Sequence, residues 1–494
     1  MLPLEKKVAE YCAEHDLFPP GAAVLAALSG GGDSVGLLRI LMRLRKTTRS
    51  AASERQRDEC DAASMRRVGI SLEAAHLNHS LRGRESDEDE RFCRELCERW
   101  GIYLTVKRLA PGEIAGKNGS IETAAREERR AFLELVMKER GLTVVATGHT
   151  LDDQAETILQ RIFRGTGPSG LQGMSPRSAH TVRPLLGVTR NDIRGYLARL
   201  RIPFREDATN EDTRFFRNRI RHELIPLLRE SYSPNIAEML SRMAELSRVQ
   251  ESFVDGLAHE AFESCCIHAD PHKILLDSRV FKGYHKVLRQ RMVRHCLEMI
   301  EGVGRDTDMD EVERVLGLVE NGFGVCDIAS GIRCEADNGV VTFAVPVVPY
   351  DPIPLNLQGE TVIPQDGGVV MVENSTGAAA VDGRNSVVVA SGVTDRYGIL
   401  TVGLTRRGER MTPYGMHKPV KIRELLSAAS LPGIIRDAVP VIRAGGVAVW
   451  IPGIRSSELL RVSERKCVEQ SGGMHRSLIL KFRNGLEWHS PQQR

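Results

Sequence analysis

The chain has 494 residues, of which 41% are hydrophobic and 27% are charged, and its formal net charge is +3. This composition excludes a disordered chain and an overall polycation, and the length predicts about two to four domains. No apolar run is long enough to cross a bilayer, and residues 1–7 lack the core of a signal peptide. We therefore expect no membrane partner and a cytoplasmic location.

A glycine turn follows the first predicted strand. Residues 22–28 are apolar, residues 29–34 read Ser-Gly-Gly-Gly-Asp-Ser, and residues 35–44 are amphipathic. This order predicts a strand, a tight turn and a helix whose first N–H groups point at one small volume, which suits a phosphate. Asp33 would repel a phosphate unless a cation lay between them, so we interpret it as a magnesium ligand.

Strands and helices alternate over the first two hundred residues. A polar stretch at residues 46–67 interrupts them and is predicted to be a mobile insertion. Strands are predicted at residues 72–77, 103–109 and 143–147, and helices at 85–100, 121–140 and 152–163. Such alternation favours a parallel sheet with helices on both faces, and ligands bind such sheets beyond the carboxyl ends of the strands.

Two motifs follow predicted strands. Residues 76–82 read His-Leu-Asn-His-Ser-Leu-Arg, and no third ligand indicates a metal there. Residues 147–157 read Thr-Gly-His-Thr-Leu-Asp-Asp-Gln-Ala-Glu-Thr and open a helix. One acid at a helix start is ordinary capping, but two adjacent aspartates and Glu156 are more than capping needs. These acids suit a magnesium ion or an amine substrate.

The pattern changes after residue 164. A glycine-punctuated loop covers residues 164–174, and residues 218–320 are predicted to be nearly all helical. Beyond residue 322 the sequence becomes β-like, with linkers near 345–354 and 375–383, and the last unit, at about 395–482, mixes strands with one helix.

Basic residues and cysteines add two observations. Arg217, Arg219 and Arg221 accompany Phe215 and Phe216, and a second basic cluster includes Arg406, Arg407 and Lys421. Such clusters indicate contact with phosphates, and a solvated helix face is an equal alternative. The ten cysteines contain no CxxC pair, which favours reduced, structural thiols.

The ordered set of motifs resembles the tRNA(Ile)-lysidine synthases, which are PP-loop enzymes of the N-type ATP pyrophosphatase superfamily. The resemblance covers about residues 22–228 and returns near 406–426 and 435–452. The motifs that carry it are SGGxDS at 29–34, HxNHxLR at 76–82, ExxAR at 122–126, TGHxxDDQxET at 147–157, RGxGxxGLxGM at 164–174, RPLL at 183–186, DxTN at 207–210 and RNxIRHxxIPxL at 217–228.

The resemblance implies an α/β fold in four segments. A Rossmann-like PP-loop domain with a parallel sheet occupies residues 1–217, and a helical substrate-binding domain occupies 218–320. A β-rich linking region at 321–394 and a small α+β tRNA-binding domain at 395–485 complete the chain.

The implied reaction joins free L-lysine to C2 of the wobble cytidine of tRNA(Ile) with a CAU anticodon. The cytosine O2 attacks the α-phosphate of ATP and releases pyrophosphate, with Mg²⁺ as cofactor. The lysine ε-amine then attacks C2 and expels AMP. The product pairs with A, which changes the codon from AUG to AUA and charging from methionine to isoleucine. A homodimer is compatible with the family.

The resemblance and the residues together imply three groups of site residues. The expected ATP-binding residues are Ser29, Gly30, Gly31, Gly32, Asp33, Ser34, His76 and Arg126, with Asp33 as the metal ligand. The expected catalytic residues are Asp33, His149, Asp152 and Asp153, and the base for the lysine amine is either His149 or one of the acids Asp152 and Asp153. The expected substrate and tRNA contacts are His79, Arg82, Glu156, Arg217, Arg219, Arg221, Arg406, Arg407 and Lys421.

Three other functions fit parts of the sequence. A PP-loop tRNA thiolase typically uses CxxC pairs, which this chain lacks. A small-molecule amidating enzyme of the same superfamily would not need the basic C-terminal units. A tRNA-binding module without activity would leave the glycine loop unexplained.

Overall fold

The computed structural model describes residues 1–50, 70–81, 83–110, 112–113, 121–206, 215–302, 307–328, 331–364, 368–375, 384–460 and 477–483. These residues form two compact units, Met1–Ser252 and Phe253–Arg494. The boundary between the units falls inside the helix Ile236–Cys265.

The first unit is built on a six-stranded sheet in the order β3-β2-β1-β4-β6-β5. All neighbouring strands are parallel except β5 and β6, so the predicted parallel sheet is confirmed. The central strand β1 is buried because both of its faces are covered, which explains its uniformly apolar sequence. The strands are β1 Ala23–Ala27, β2 Ser71–Asn78, β3 Leu104–Arg108, β4 Val144–Ala146, β5 Arg177–Ser178 and β6 Thr181–Val182.

The helices that begin in the first unit are α1 Pro3–Glu14, α2 Gly32–Ser50, α3 Arg84–Trp100, α4 Ile121–Glu139, α5 Leu151–Phe163, α6 Pro168–Leu171, α7 Arg190–Leu200, α8 Phe216–Arg219, α9 Ile225–Ser231 and α10 Ile236–Cys265. Helices α1, α2, α3 and α7 share one core with the sheet and α4 shares another, so both faces of the sheet are covered. Helix α2 reaches Ser50, so residues 46–50 are helical and the predicted insertion is wrong there. The rest of that predicted insertion lies outside the described residues.

Close packing of α7 on α2 fixes the start of α7. A Cβ atom on Gly36 would lie 2.5 Å from Cγ2 of Ile193, so only glycine lets the two helices approach this closely. Thr189 caps α7, because its hydroxyl accepts a hydrogen bond from Asp192 N at 3.1 Å. Arg190, the first residue of α7, is thereby held in one position.

A short π-helical segment, Ile220–Leu224, joins α8 to α9. Apolar residues of this region pack against α5, with Ile220 and Ile225 buried beside Ala155 and Ile158. This contact sets α8 and the π-helical segment alongside the acidic end of α5. The motif RNxIRHxxIPxL therefore forms one wall of the region that follows β4.

The second unit is dominated by antiparallel sheets. Their orders are β7-β8-β11-β10-β9, β12-β16-β19-β20-β21, β13-β14-β22-β15 and β17-β18. The strands are β7 Cys266–Asp270, β8 Lys273–Asp277, β9 Gly324–Asp327, β10 Arg333–Asp337, β11 Val340–Ala344, β12 Ile353–Pro354, β13 Glu360–Val362, β14 Val369–Ser375, β15 Ser386–Ala390, β16 Leu400–Leu404, β17 Arg410–Met411, β18 Val420–Lys421, β19 Pro440–Ala444, β20 Val447–Ile451, β21 Arg455–Ser456 and β22 Ser477–Arg483.

Two predictions for the second unit need correction. The hairpin β7–β8 interrupts the segment predicted to be nearly all helical, because Ile274, Leu275 and Leu276 are fully buried where β8 pairs with β11. Within its described residues, the last predicted unit contains two full helices where one was predicted. Residues 376–383 of the second predicted linker lie outside the described residues. The helices are α11 Ser278–Lys282, α12 Lys286–Glu301, α13 Met309–Asn321, α14 Ser391–Tyr397, α15 Ile422–Ala428 and α16 Gly433–Ala438.

Among the described residues, no helix combines the length and apolar character that a membrane crossing requires.

Candidate active site

The glycine turn between β1 and α2 is closed by its own serines. Ser29 N donates a hydrogen bond to Ser34 Oγ at 3.1 Å, and Ser34 Oγ donates to Gly31 O at 2.9 Å. Gly30 has a φ of +91°, a conformation that side-chain-bearing residues rarely adopt. The turn leads directly into α2, which starts at Gly32 and carries Asp33 in its first turn. The backbone there has the form of an anion site at a helix N-terminus.

The turn after β4 packs directly on this loop. A Cβ atom on Gly148 would lie 3.1 Å from the Asp33 carbonyl carbon and from Ser34 N, so only glycine fits without displacing the loop backbone. This contact brings the motif at residues 147–157 beside the motif at residues 29–34. The two motifs, although far apart in sequence, therefore belong to one site.

Three carboxylates at the start of α5 are buried. The exposed fraction is 9% for Asp152, 7% for Asp153 and 0% for Glu156. Thr150 caps the helix, since its hydroxyl oxygen accepts a hydrogen bond from Asp153 N at 3.4 Å, and its backbone N–H and hydroxyl donate in return to Asp153 Oδ2 at 2.9 Å and 2.8 Å. Capping thus uses one oxygen of Asp153, and the other oxygen remains directed at cationic side chains.

Arg190, for which no role was predicted, bridges the two acidic motifs. Its Nε lies 3.4 Å from Asp33 Oδ2, its Nη1 lies 2.8 Å from Glu156 Oε1, and its Nη2 donates to Asp153 Oδ1. Its backbone N–H donates to Asp152 Oδ2 at 2.8 Å. No helix was predicted at this position; the structure places the arginine in the first turn of α7, where an acid is more usual.

Further arginines enclose the same acids. Arg217 Nε donates to Glu156 Oε2 at 2.9 Å, and Arg221 Nε donates to Glu156 Oε1 at 2.7 Å. Both guanidinium groups also reach Asp153 Oδ1, at 3.1 Å and 3.5 Å. Arg229, which was not predicted, donates to Asp152 Oδ1 at 2.7 Å. The site therefore combines four carboxylates with four guanidinium groups.

Three of the arginines expected to contact the tRNA, those at positions 217, 219 and 221, separate into two environments. Arg217 and Arg221 have their guanidinium groups engaged with carboxylates, so their charge is largely neutralised locally. Arg219, between them in sequence, is exposed. Their four-residue spacing places Arg217 and Arg221 on the face that meets α5, while Arg219 points elsewhere.

Burial and charge shift the pKa values of the acids in opposite directions. Burial raises the pKa of Asp33 to about 6, and Arg190 only partly opposes this effect. Burial also acts on Asp153 and Glu156, but the surrounding arginines outweigh it and lower both pKa values, that of Asp153 to about 2. Asp153 and Glu156 are thus firmly anionic near neutral pH, whereas Asp33 is poised to exchange a proton.

His149 is neutral near physiological pH. Burial lowers its pKa to about 4, and the positive charges of Arg183 and Arg217 oppose the effect of Asp153. Its Nδ1 lies 2.9 Å from the Thr147 hydroxyl. An unprotonated imidazole beside a carboxylate cluster is able to accept a proton.

A second group of cations lies toward α4. Desolvation lowers the pKa values of Arg129, Arg183 and His149, and the charge of the exposed Arg126 lowers them further, which marks Arg126 as their neighbour. Arg129 Nη2 donates to His79 Nε2 at 3.2 Å. Arg183 Nε is buried and has no hydrogen-bond partner among the described residues. These guanidinium groups form a region of positive potential that suits a polyphosphate.

His76 is buried at the end of β2. Its Nδ1 lies 2.8 Å from Leu28 O, which assigns the ring proton to Nδ1. Its Nε2 has no partner among the described residues. Burial lowers the pKa of this imidazole, so Nε2 is a buried hydrogen-bond acceptor at the edge of the glycine loop.

The remaining predicted site residues belong to the second unit or lie outside the described residues. Arg82 lies outside the described residues. Arg406, Arg407 and Lys421 belong to the second unit and are exposed, and Lys421 Nζ lies 3.7 Å from Glu424 Oε1.

Magnesium would have one protein ligand here. No group of three or more His, Cys, Asp or Glu side chains in the described ranges is arranged to hold a metal. Mg²⁺ commonly binds through one or two carboxylates together with substrate phosphates and water. Asp33, at the N-terminus of α2 beside the glycine turn, fits that role.

Comparisons with known proteins identify the family. A model of the PP-loop domain matches residues 2–228, and a model of the TilS substrate C-terminal domain matches residues 400–470. The tRNA(Ile)-lysidine synthase of Symbiobacterium thermophilum is 31% identical over 96% of this chain and 100% of its own length. The chain belongs to the tRNA(Ile)-lysidine synthases. The corresponding synthase of Geobacter sulfurreducens is 32% identical over 93% of this chain and 94% of its own length.

Among solved structures, the U34-tRNA thiolase of Methanococcus maripaludis is similar to part of this family member. It has 17% identity and a TM-score of 0.38, and the match covers 50% of this chain and 78% of the thiolase.

Proposed function

We propose that this chain forms lysidine at the wobble cytidine of tRNA(Ile) with a CAU anticodon, using ATP and free L-lysine. The observation that carries the proposal is the position of Arg190. A side-chain cation lies between the acid of the PP-loop and the acids of α5. A site that accommodates a guanidinium group between Asp33 and Glu156 has the charge and dimensions to accept a lysine ammonium group beside a bound nucleotide.

In the first step the cytosine O2 attacks the α-phosphate of ATP and pyrophosphate leaves. The backbone of residues 29–34, with the hydroxyls of Ser29 and Ser34, binds the phosphates, and Arg126 neutralises charge on them. Asp33 would hold Mg²⁺, and the ion would supply positive charge to the phosphate oxygens. His76 Nε2, an acceptor without a partner among the described residues, is available to the nucleotide.

In the second step the lysine ε-amine attacks C2 and AMP leaves. Asp152, Asp153 and Glu156 bind the lysine cation, in exchange for the Arg190 guanidinium group. The ammonium group must lose a proton before attack, and His149 is the base that this geometry favours. The Thr147 hydroxyl can donate to Val182 O at 3.5 Å, so its oxygen accepts a hydrogen bond from His149 Nδ1–H. The ring proton then lies on Nδ1, and Nε2 keeps the lone pair that accepts a proton. Asp153, with its pKa near 2, is too weakly basic for this role.

For tRNA binding we propose two kinds of residue. His79, Arg219, Arg406, Arg407 and Lys421 contact the tRNA, as does Arg82. Arg217 and Arg221 instead hold Asp153 and Glu156 in place. We also propose that the chain acts in the cytoplasm and that it forms a homodimer.

The test is incorporation of labelled lysine into tRNA in the presence of ATP. Label in tRNA(Ile), with stoichiometric AMP and pyrophosphate, is the expected result, and Asp33→Ala should abolish it. ATP turnover without tRNA, or no transfer of lysine, would overturn the proposal. For the lysine site, Asp153→Asn should raise the KM for lysine with little change in the KM for ATP. Unchanged lysine kinetics in both Asp152→Asn and Asp153→Asn would remove these acids from the lysine site.

A further inference from the structure

Two exposed phenylalanines lie close to the acidic cluster and have no role in the reaction proposed above. Phe163, the last residue of α5, is 58% exposed, and Phe216, the first residue of α8, is 41% exposed. Their ring centroids are 6.1 Å apart and their planes meet at 74°, an edge-to-face arrangement. Phe215, beside them in sequence, is 51% exposed. Exposed aromatic rings in contact with each other are uncommon on a surface that meets only water.

Both rings are tied to the proposed lysine site by the helices that carry them. Phe163 follows Glu156 by seven residues, so it lies on the same face of α5, about 10 Å further along the axis. Phe216 immediately precedes Arg217, whose guanidinium group binds Glu156 and Asp153. The pair therefore lies beside the site where the modified nucleotide must bind.

The surroundings of the pair are basic. Arg164 follows Phe163, and Arg219 lies one turn after Phe216. Both arginines are exposed, and neither forms an ion pair within the described part of the chain. Exposed aromatic rings flanked by arginines are the combination by which proteins bind unpaired nucleic-acid strands, because bases stack on the rings while the cations meet the phosphates.

We propose that Phe163 and Phe216 form a stacking platform for an unpaired nucleobase that neighbours the modified cytidine. This inference rests on the proposed function, since it takes tRNA as the substrate. The cytidine must leave the loop stack to reach the α-phosphate, and its neighbour then loses a stacking partner. A ring of Phe163 or Phe216 replaces that partner and holds the loop open next to the nucleotide site.

The test measures RNA binding without ATP or lysine. An anticodon stem–loop RNA with a CAU loop is compared with a fully paired duplex of the same stem, and the Kd values are determined by fluorescence anisotropy. Phe163→Leu and Phe216→Leu keep an apolar side chain and remove the ring. Each should weaken stem–loop binding by about 5- to 30-fold and leave duplex binding within about twofold, because only unpaired bases stack.

Two further variants complete the design. Phe216→Trp keeps an aromatic face and should bind the stem–loop within about twofold of the unsubstituted protein. Phe323→Leu, at a phenylalanine that is 76% exposed in the second unit, is the matched control and should change neither affinity. Thermal unfolding of each variant checks that the fold is retained.

Equal losses for stem–loop and duplex, or unchanged stem–loop affinity in both leucine variants, would overturn the proposal. The second result would instead favour a protein partner for this patch. Failure of the proposed function is distinguishable, because a chain that transfers no lysine to tRNA can still show the loop-specific loss of binding.

Discussion

The guanidinium group of Arg190 joins Asp33 of the PP-loop to Glu156 of α5, with Nε 3.4 Å from Asp33 Oδ2 and Nη1 2.8 Å from Glu156 Oε1. Two motifs that are more than a hundred residues apart in sequence thus share one cation. The consequence is electrostatic as well as geometric, because the same cation opposes the rise in the pKa of Asp33 and lowers that of Glu156.

Arg190→Ala should destabilise the first unit strongly. The variant leaves Asp153 and Glu156 buried with one cation fewer, and breaking such a buried pair costs about 3 kcal/mol. Urea unfolding measures the change. Arg194→Ala is the matched control on the same helix, since Arg194 pairs with Glu206 at 3.3 Å on the surface and should change stability by less than about 0.5 kcal/mol. Equal effects of the two substitutions would contradict the bridging role.

Asp33→Asn and Asp153→Asn should change stability in opposite directions at neutral pH. The folded protein raises the pKa of Asp33 to about 6, so ionising Asp33 opposes folding, and the asparagine variant should gain about 1–2 kcal/mol. The folded protein lowers the pKa of Asp153 to about 2, so its loss should cost several kcal/mol.

The control is the pH dependence of the difference in stability between each variant and the unsubstituted protein. The cost of ionising Asp33 appears as pH rises from about 4 to about 6, so the gain from Asp33→Asn should vanish near pH 4. The stabilisation from Asp153 is present above about pH 4 and is lost as pH falls toward about 2. A gain from Asp33→Asn that is the same at every pH would point to a cause other than this carboxylate.

Pyrophosphate release should fall as pH drops through about 6. Protonated Asp33 cannot ligate Mg²⁺, and the metal and the proton compete for the same carboxylate. The measurement is single-turnover release at several Mg²⁺ concentrations. Higher Mg²⁺ should move the midpoint to lower pH, and a midpoint that does not respond to Mg²⁺ would exclude Asp33 as its ligand.

Gly148→Ala should slow the ATP-dependent step by about tenfold or more, because the new Cβ would meet the backbone of Asp33 and Ser34 at 3.1 Å and displace the loop. Pre-steady-state pyrophosphate release is the measurement. Gly195→Ala is the control, since a Cβ on this α7 residue meets nothing within 4 Å. A Gly148→Ala enzyme with unchanged release would show that the loop tolerates displacement.

Replacing Arg406 and Arg407 together by alanine should weaken tRNA binding and reduce its salt dependence. Each lost phosphate contact lowers the slope of log Kd against log salt by about 0.7–0.9. Titrations of tRNA at several salt concentrations measure this slope. Lys107→Ala, at an exposed lysine outside the basic clusters, should leave the slope unchanged. An unchanged slope in the double variant would favour the solvated-face interpretation.

The sequence by itself determined the elements that carry local signals. The apolar run of β1, the glycine turn and the cap of α5 each depend on a few neighbouring residues, so the parallel sheet and the PP-loop were predictable. The hairpin β7–β8 was not, because its apolar residues suit a helix until β11 provides a pairing edge. Tertiary packing overrides a weak local preference in such segments.

Tertiary structure alone decided how the charged residues are paired. Arg190, Arg217 and Arg229 come from three separate elements, and no spacing in the chain relates them to Asp33 or to α5. The close contact at Gly36 positions α7, and the buried Ile220 and Ile225 pack the segment after α8 against α5, so that guanidinium groups neutralise acids that burial would otherwise protonate. The acids can be recognised from neighbouring residues in the sequence, but their ionisation depends on long-range contacts. The reason is that charge interactions in a buried site act through space and not along the chain.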